Sequence, residues 1–537
     1  MATHPRAQPN FRNLFIKPFW MTLVTALRTF GRPIFGWGYH NKKEEMLDEH
    51  SRARASGNVM NDVTAHEYAA DREGPTLFPN LWKPMTLMYP FERLEDLEPW
   101  LFVPGQYNGR IGVIWETCTA CRLCVKICPN DCLHMSTELR VDILSAFVLI
   151  LVSGIGAVVA TWSPASISVE LPRYERHYLF YCAYLLCLTG LLGITITGDV
   201  FNIFVFLEIT SLATYTLIAL GRDRRALMAA YAYLLVGTIG ATVLPTGIGL
   251  RYQMTGTLNI ADLALRLEDV KETRTVIVAF AFVMVGISIK LAVLPLHQWL
   301  PNAYTFAPPV VSAFLAATAT KVAYYLMLRF TYTIFGAAFV FSSLRLNLIL
   351  TPLSLAAMFI GSIAAIYQTD FKRLLAYSSI AQIGYMTLGL SLNTELGLTA
   401  GIVHLLNHAL MKGGLFLVAA CIVARLGSSA IADMRGLGKR MPLTAAALVV
   451  AGLGLIGVPG TVGFVSKWML VSATIEREYF DVTFLILLSS LLALVYVWRL
   501  IEVMYLSEAP AGASTGDAPA KFLIPAWILV SASVYFG

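Results

Sequence analysis

A succession of long apolar segments is the feature that most constrains the fold of this chain. After residue 140, about twelve segments are long enough to cross a bilayer as helices, which takes roughly 20 mostly apolar residues each. Only 14% of the 537 residues are charged, compared with about 25% in soluble domains. Because a backbone in lipid must satisfy its own hydrogen bonds, the sequence predicts an all-α polytopic membrane domain over residues 141–537. The predicted spans are 143–161, 178–197, 200–220, 227–249, 275–294, 310–335, 348–367, 374–392, 398–424, 443–464, 482–505 and 522–536.

The distribution of basic residues predicts the orientation of these spans. The basic loops at 221–225, 370–373 and 435–440 all follow odd-numbered spans. Lysine and arginine are enriched in cytoplasmic loops, so these loops are predicted to face the cytoplasm. The net charge of +6 is then accounted for by membrane-flanking loops. The sequence predicts a multi-pass protein of a prokaryotic cell (inner) membrane, surrounded by lipid, with no nucleic-acid binding.

Ionisable side chains interrupt several of the apolar segments. Such a residue at bilayer depth costs about 2.5–3.5 kcal/mol on insertion scales, and most of them take part in ion movement. The alternative explanation is that a lysine extends its ammonium group to the membrane interface. This explanation applies best to Lys467, which is near a span end. Pro295, five residues after Lys290, predicts a broken helix that frees carbonyl groups beside that lysine. The residues concerned are Glu208, Lys290, Lys321, His404, His408, Lys412 and Lys467.

The part of the chain that precedes the spans divides into three by composition. Residues 1–38 contain an apolar stretch interrupted by Lys17 and Arg28, which is typical of a helix at the membrane surface. Residues 39–75 are a polar insert. Residues 76–140 hold five of the eight cysteines and form a predicted small α+β, ferredoxin-like fragment.

Four of these cysteines have the spacing of a ferredoxin site. Cys118, Cys121, Cys124 and Cys128 form C-x2-C-x2-C-x3-C followed by Pro129, which is the pattern of [4Fe–4S] ligands. In two-cluster ferredoxins the cysteine before proline binds the other cluster. This chain has one copy of the motif, and Cys132 is the only further thiol nearby.

Residues 141–537 resemble the antiporter-like subunits of respiratory complex I and the D-type subunit of Mrp antiporters. The resemblance lies in GDVFNIFVFLE, LPLHQWLPNAYTFAPPVVSAFLA, DFKRLLAYSSIAQIGYM, NHALMKGGLFL and GVPGTVGFVSKW. It implies a second broken helix at Pro459, and it implies roles for the ionisable residues. The family's lysine–glutamate pair falls on Lys290 and Glu208, its bridging lysine on Lys321, its central polar chain on His404, His408 and Lys412, and its exit lysine on Lys467.

Residues 8–140 resemble the complex I subunit that carries two ferredoxin-type clusters. The matching pieces are LWKPMTLMYPFE, YNGRIGV and the cysteine run. The match stops before that family's second motif, and the membrane part lacks the first two of its family's fourteen spans. The first resemblance therefore ends and the second begins near Arg140, and each family is truncated there. This pattern favours a deletion or misassembly between neighbouring genes. The span parity then predicts that the cysteine cluster lies outside the cytoplasm.

The favoured function is proton translocation by a subunit of an NADH–quinone oxidoreductase-like assembly. NADH and quinone are then bound by other subunits, because the chain has no nucleotide-binding motif. The partners implied are other complex I-like or antiporter membrane subunits, with H⁺, or Na⁺ in its place, as the ion. The alternatives are a D-type Na⁺/H⁺ antiporter subunit, a membrane-bound hydrogenase subunit and a non-functional hybrid chain.

Overall fold

A computed structural model of the protein describes residues 140–170, 177–510 and 516–537. The predicted segments 1–38, 39–75 and 76–140 lie outside these residues, apart from Arg140, and so do the cysteines of the ferredoxin-type motif. Regular structure in the described part is helical. Beyond the helices it has two isolated antiparallel β-bridges.

Sixteen α-helices follow one another in the described part of the chain. Nine helical segments there are long and apolar enough to cross a membrane, and two more, Pro442–Ile456 and Ala520–Tyr535, are apolar but shorter. The predicted all-α polytopic fold is therefore confirmed. The helices are α1 (Ile143–Glu170), α2 (His177–Ile196), α3 (Val200–Ala219), α4 (Arg225–Thr255), α5 (Ile260–Leu267), α6 (Arg274–Leu291), α7 (Trp299–Phe306), α8 (Pro309–Leu328), α9 (Leu346–Ile366), α10 (Phe371–Ser391), α11 (Glu395–Leu426), α12 (Leu437–Arg440), α13 (Pro442–Ile456), α14 (Val462–Glu476), α15 (Phe480–Ile501) and α16 (Ala520–Tyr535).

Three of the predicted spans correspond to helices that do not meet the criterion of length and apolarity. The span 374–392 is α10, which carries many polar residues. Nearly all of α10 is buried among other helices, so it needs little lipid-facing apolar surface. The span 522–536 is the short helix α16. The span 443–464 is two half-helices, α13 and α14, and the second continues to Glu476.

Both predicted helix breaks are present. The first separates α6, which ends at Leu291, from α7, which begins at Trp299, and Pro295 lies between them. The second separates α13 from α14 and contains Pro459. Each break leaves backbone carbonyl groups at a half-helix end without their usual intrahelical partners.

The described domain consists of two halves with the same order of elements. In each half an aspartate caps a span by accepting from the backbone N–H three residues further on, at 2.9 Å: Asp199 for α3 and Asp370 for α10. Each aspartate also forms a β-bridge, with Asn259 and Ala430 respectively. A broken helix and a span that ends in a π-helical turn follow in both halves. Helix α10 is an odd number of spans further along the chain than α3, so the two halves cross the membrane in opposite directions, as in inverted-repeat transporters.

The most buried helices lie at the centre of the domain. The apolar windows of α8, with its π-helical extension, and of α11 are 94% and 78% buried, whereas those of α4 and α15 are 33% buried. Helices α8 and α10 both pack against α11. Four of the seven predicted ionisable residues lie on α8 and α11, which have little contact with lipid: Lys321, His404, His408 and Lys412.

Candidate functional site

The first candidate pair joins α3 to α6. Lys290 Nζ lies 4.0 Å from Glu208 Oε1, and the side chains are 7% and 26% exposed respectively. Glu208 is in the middle of α3 and Lys290 is in the last turn of α6. The two residues that the sequence pairs by resemblance are therefore close together in the structure.

The Lys290 ammonium group has closer polar neighbours than Glu208. Its Nζ donates to Ser211 Oγ at 2.6 Å and to the Tyr215 hydroxyl at 3.4 Å. It also lies 5.8 Å from the ring centroids of Tyr215 and Tyr233. A hydroxyl-lined, aromatic site of this kind holds a cation while keeping bulk water away.

An aromatic side chain links the two half-helices at the first helix break, close to Lys290. Trp299 Nε1 donates to the Ile289 carbonyl at 2.9 Å. The Trp299 ring stacks on Tyr233 with centroids 3.8 Å apart, and Tyr233 meets Tyr215 edge to face at 4.8 Å. Trp299 at the start of α7 therefore contacts Tyr233, and Tyr233 contacts Tyr215, whose hydroxyl accepts from Lys290.

Lys321 lies fully buried on α8, the central helix. Its Nζ donates to the Ala316 carbonyl and, at 3.3 Å, to Thr320 Oγ1. These acceptors are uncharged, and the described residues include no salt-bridge partner for this ammonium group. This lysine is therefore held by neutral oxygen atoms and not by a carboxylate.

Helix α11 contributes three of the predicted residues from one buried face. His404 Nδ1 is 2.8 Å from Ser466 Oγ, and its Nε2 is 2.9 Å from Gln382 Oε1. The His404 and His408 rings are nearly parallel, with centroids 6.3 Å apart. The i, i+4 spacing in the sequence therefore does bring the two imidazoles together.

The environments of His408 and Lys412 differ. His408 is fully buried, and neither of its ring nitrogens has a hydrogen-bond partner among the described residues. Lys412, also fully buried, donates to the Leu375 carbonyl at 2.8 Å and to Ser378 Oγ. No direct hydrogen bond between described residues links the two side chains, so proton transfer between them requires water or side-chain movement.

Lys467 lies at the second helix break. Its Nζ donates to the carbonyls of Leu455 and Ile456 at 2.9 Å each and to Ser490 Oγ at 3.2 Å. It also lies 4.7 Å from the ring centroid of Tyr385. Lys467 is 6% exposed, so the alternative of an ammonium group at the membrane interface does not describe it.

Several polar residues of this region were not singled out from the sequence. Gln382 holds His404, and Asn407 Nδ2 donates to Ser466 Oγ at 2.9 Å. Both are polar residues inside apolar spans. A search of these spans for all polar side chains, and not only for ionisable ones, would have found them. Lys372 lies in the basic loop 370–373 of the sequence. It is 4% exposed, and its Nζ donates to the Ala307 carbonyl at 2.6 Å.

All seven predicted membrane residues thus lie on the inward-facing parts of their helices. Glu208 and Lys290 lie 4.0 Å apart, and the His404 and His408 rings are neighbours without a hydrogen bond between them. The remaining lysines are separate, and each is held by carbonyl or hydroxyl oxygens. Such a series of amine, imidazole and carboxyl groups can bind and release protons in steps. Within the described residues no group of three or more potential ligands could hold a metal ion.

Two family models match separate parts of the chain. The one described as "NADH:quinone oxidoreductase/Mrp antiporter, TM" matches residues 197–493, and the one described as a 4Fe–4S binding domain matches residues 111–134. The second match covers the four cysteines of the predicted motif. An iron–sulfur-type sequence motif is therefore present in front of the membrane domain.

Curated relatives and solved structures agree with the larger match. The chain is 42% identical over 382 residues to NADH-quinone oxidoreductase subunit N of Desulforudis audaxviator, covering 71% of this chain and 75% of the relative. It is 31% identical over 397 residues to the D-type subunit of the Na⁺/H⁺ antiporter of Alkalihalophilus pseudofirmus, covering 74% and 79%. A chain of the archaeal membrane-bound sulfane sulfur reductase, a respiratory membrane complex, is 31% identical with a TM-score of 0.67, covering 73% and 79%.

The inverted halves, the two broken helices and the buried lysines are thus accompanied by a family match over more than half of the chain. We conclude that this protein belongs to the NADH:quinone oxidoreductase/Mrp antiporter transmembrane family.

Proposed function

We propose that this chain translocates protons across the membrane as a subunit of an NADH–quinone oxidoreductase-like complex. The observation that carries the proposal is the Lys290–Glu208 pair beside a helix break, with Lys290 buried, Glu208 partly buried, and Nζ and Oε1 4.0 Å apart. Among the similar proteins, the subunit N of an NADH-quinone oxidoreductase has the higher identity, at 42%, and an F420H2 dehydrogenase subunit N is 32% identical.

The proposed proton carriers are the seven ionisable residues of the membrane domain. A carboxylate close to Lys290 favours the charged amine, and loss of that contact favours proton release. Lys321, His404, His408 and Lys412 would receive and pass on the proton in the central helices. Lys467 would be the last carrier, at the second helix break. These roles are carried over from the family and are consistent with the burial of each side chain.

Removal of either member of the pair tests the proposal. We expect Lys290→Ala and Glu208→Ala in the full chain to abolish NADH-driven acidification of inside-out membrane vesicles, measured with a pH-gradient dye. Lys439→Ala is the matched control, because Lys439 is exposed on the short helix α12. Acidification at the wild-type rate in either variant, with the chain present at normal amounts, would refute the assignment.

The second candidate is a D-type subunit of a Na⁺/H⁺ antiporter. It is favoured by the 31% identity to such a subunit and by the likeness to the Mrp complex of Dietzia sp., at 29% identity and a TM-score of 0.65. An antiporter needs no electron donor. Transport that depends on sodium and continues without NADH would support this candidate over the first.

The ferredoxin-type motif gives a separate proposal for the front of the chain. Cys118, Cys121, Cys124 and Cys128 are the residues that would hold a [4Fe–4S] cluster, with four thiolates in ferredoxin spacing. Such a cluster supplies one-electron transfer. Iron and acid-labile sulfide in the purified full chain, absent from a variant with all four cysteines replaced by serine, would support it. Equal iron in both proteins would contradict it.

A further inference from the structure

The hydrogen bond between Lys290 and Ser211 is shorter than the contact between Lys290 and Glu208. Nζ lies 2.6 Å from Ser211 Oγ and 4.0 Å from Glu208 Oε1. Glu208 and Ser211 are three residues apart on α3, so they lie on the same face of that helix. The ammonium group therefore has two acceptors side by side, and in this structure it is bound to the uncharged one.

A hydroxyl group can serve both protonation states of a lysine, whereas a carboxylate cannot. Ser211 Oγ accepts from Lys290 and donates to the Leu207 carbonyl at 2.7 Å. When Lys290 loses its proton, the serine O–H can turn from the carbonyl to the lone pair of the neutral amine. An ionised Glu208 can only accept, so it stabilises the charged amine alone.

We propose that Ser211 is a positioning residue for proton release from Lys290, and that Gly237 is the position that leaves room for the site. This inference rests on the proposed function and deepens it. Ser211 binds the ammonium group away from direct contact with Glu208, and the hydroxyl then stabilises the neutral amine. The released proton passes to Lys321, the next proposed carrier, while the Lys290 amine stays hydrogen-bonded to Ser211.

Gly237 on α4 is the second residue on which the proposed Lys290 site depends. A Cβ atom at this position would lie 1.9 Å from the Tyr215 hydroxyl oxygen and 3.5 Å from Lys290 Nζ. Tyr215 cannot retreat freely, because its ring meets Tyr233, which in turn stacks on Trp299. A methyl group at 237 must therefore displace the Tyr215 hydroxyl, which is the other uncharged acceptor of Lys290.

Of the other groups that face Lys290, the Tyr215 hydroxyl can also donate and accept, but it is more distant than Ser211, at 3.4 Å. From α3 the titratable groups are Glu208 and Tyr215, and from α4 there is Tyr233, whose ring centroid is 5.8 Å from Nζ. Helix α8 also packs against α6, but its Lys321 donates to Ala316 and Thr320 instead. Ser211 is therefore the nearest group that both donates and accepts.

The test is the pH dependence of proton transport in the full chain, reconstituted in liposomes with a potassium diffusion potential and a pH dye. We expect Ser211→Ala to slow transport about tenfold, as for a lost hydrogen bond to a charged group. We also expect the pH of half-maximal transport to shift, because Lys290 then faces only the more distant Tyr215 hydroxyl and the charged Glu208. Ser211→Thr keeps the hydroxyl and should restore the wild-type rate and pH profile.

Thr216→Ala is the matched control, since Thr216 is on the same helix and makes the same type of bond to a carbonyl four residues back, but is exposed. Gly237→Ala should slow transport as Ser211→Ala does. A slow Ser211→Ala variant with an unshifted pH profile, or one that Ser211→Thr does not rescue, would overturn the inference. So would a wild-type rate and profile for Ser211→Ala when Lys290→Ala is inactive. Proton transport at the wild-type rate by Lys290→Ala would instead refute the proposed function itself.

Discussion

The Lys467 ammonium group caps the half-helix that ends at Ile456, with Nζ 2.9 Å from the Ile456 carbonyl oxygen. A cation is favourable at the C-terminal end of a helix, where carbonyl groups point outward and carry partial negative charge. The break that frees these carbonyls therefore also creates the binding site for the lysine. The position of Lys467 depends on backbone atoms more than on the side chains around it.

The first prediction concerns Gly457, which has φ +88 and lies under Lys467. A Cβ atom there would be 2.9 Å from Lys467 Cδ, so Gly457→Ala should displace the ammonium group while keeping its charge. We expect proton transport to fall about a hundredfold, as for a misplaced catalytic group. Gly460→Ala is the control, because Gly460 also has positive φ, +82, but a Cβ atom there meets nothing within 4 Å. Equal rates in the two variants would contradict this account.

The second prediction concerns Gln382, whose Oε1 holds His404 Nε2 at 2.9 Å. The partner of one imidazole nitrogen determines which nitrogen carries the proton. Gln382→Leu should therefore leave His404 able to rotate, and we expect proton transport to fall about tenfold. Gln368→Leu serves as the control. Gln368 follows the end of α9, and its Nε2 donates to the Ala364 carbonyl of that helix. A wild-type rate for Gln382→Leu would show that His404 orientation does not limit transport.

Much of this arrangement can be predicted from the sequence. The apolar segments and Pro295 are local features, and they correspond to helices and to the first helix break. The second break, at Pro459, is implied by the family resemblance. The lysines and histidines stand out because charge is rare in these segments. Their burial follows from the same energetic cost that makes them rare.

The hydrogen-bond partners of these residues cannot be predicted in the same way. That Lys290 binds Ser211 more closely than Glu208 depends on the side-chain directions of two helices packed together. Lys372 lies in a basic loop by sequence, yet its ammonium group reaches the Ala307 carbonyl at the end of α7. Gly237 has no chemistry of its own, and only the packing of α3 and α4 shows what its missing side chain permits.

The third prediction concerns Asp142, which lies just before α1 and pairs with Arg329. Burial raises the pKa of the Asp142 carboxyl, but the hydrogen bond from Arg329, the backbone N–H of Ser145 and the charge of Arg329 outweigh it and lower the pKa to about 2. The ionised carboxylate therefore stabilises the fold above the unfolded pKa of about 4, and this contribution is lost as pH falls toward about 2.

The melting temperature of the protein in detergent measures this contribution. Asp142→Asn should melt lower than the wild type at neutral pH, by roughly 1 kcal/mol of stability for this partly exposed pair. The difference should shrink as the pH is lowered from about 5 to about 2. Asp223→Asn is the control, because Asp223 pairs with Arg225 at 2.5 Å in an exposed loop. A difference that stays constant with pH would mean that the charge of Asp142 is not what stabilises the start of α1.

The fourth prediction concerns the orientation of the domain in the membrane. Arg224 and Glu272 are both exposed, in the loops before α4 and before α6 respectively. One span, α4, separates the two loops, so they must lie on opposite sides of the membrane. The basic composition around Arg224 places that loop in the cytoplasm.

Labelling of single introduced cysteines in intact cells measures this orientation. We expect Glu272→Cys to react with a membrane-impermeant maleimide and Arg224→Cys to react only after the cells are opened, with the unmodified chain as the background. The reverse pattern would invert the whole domain, because the parity of the spans fixes every other loop. It would then contradict the predicted cytoplasmic position of the basic loops.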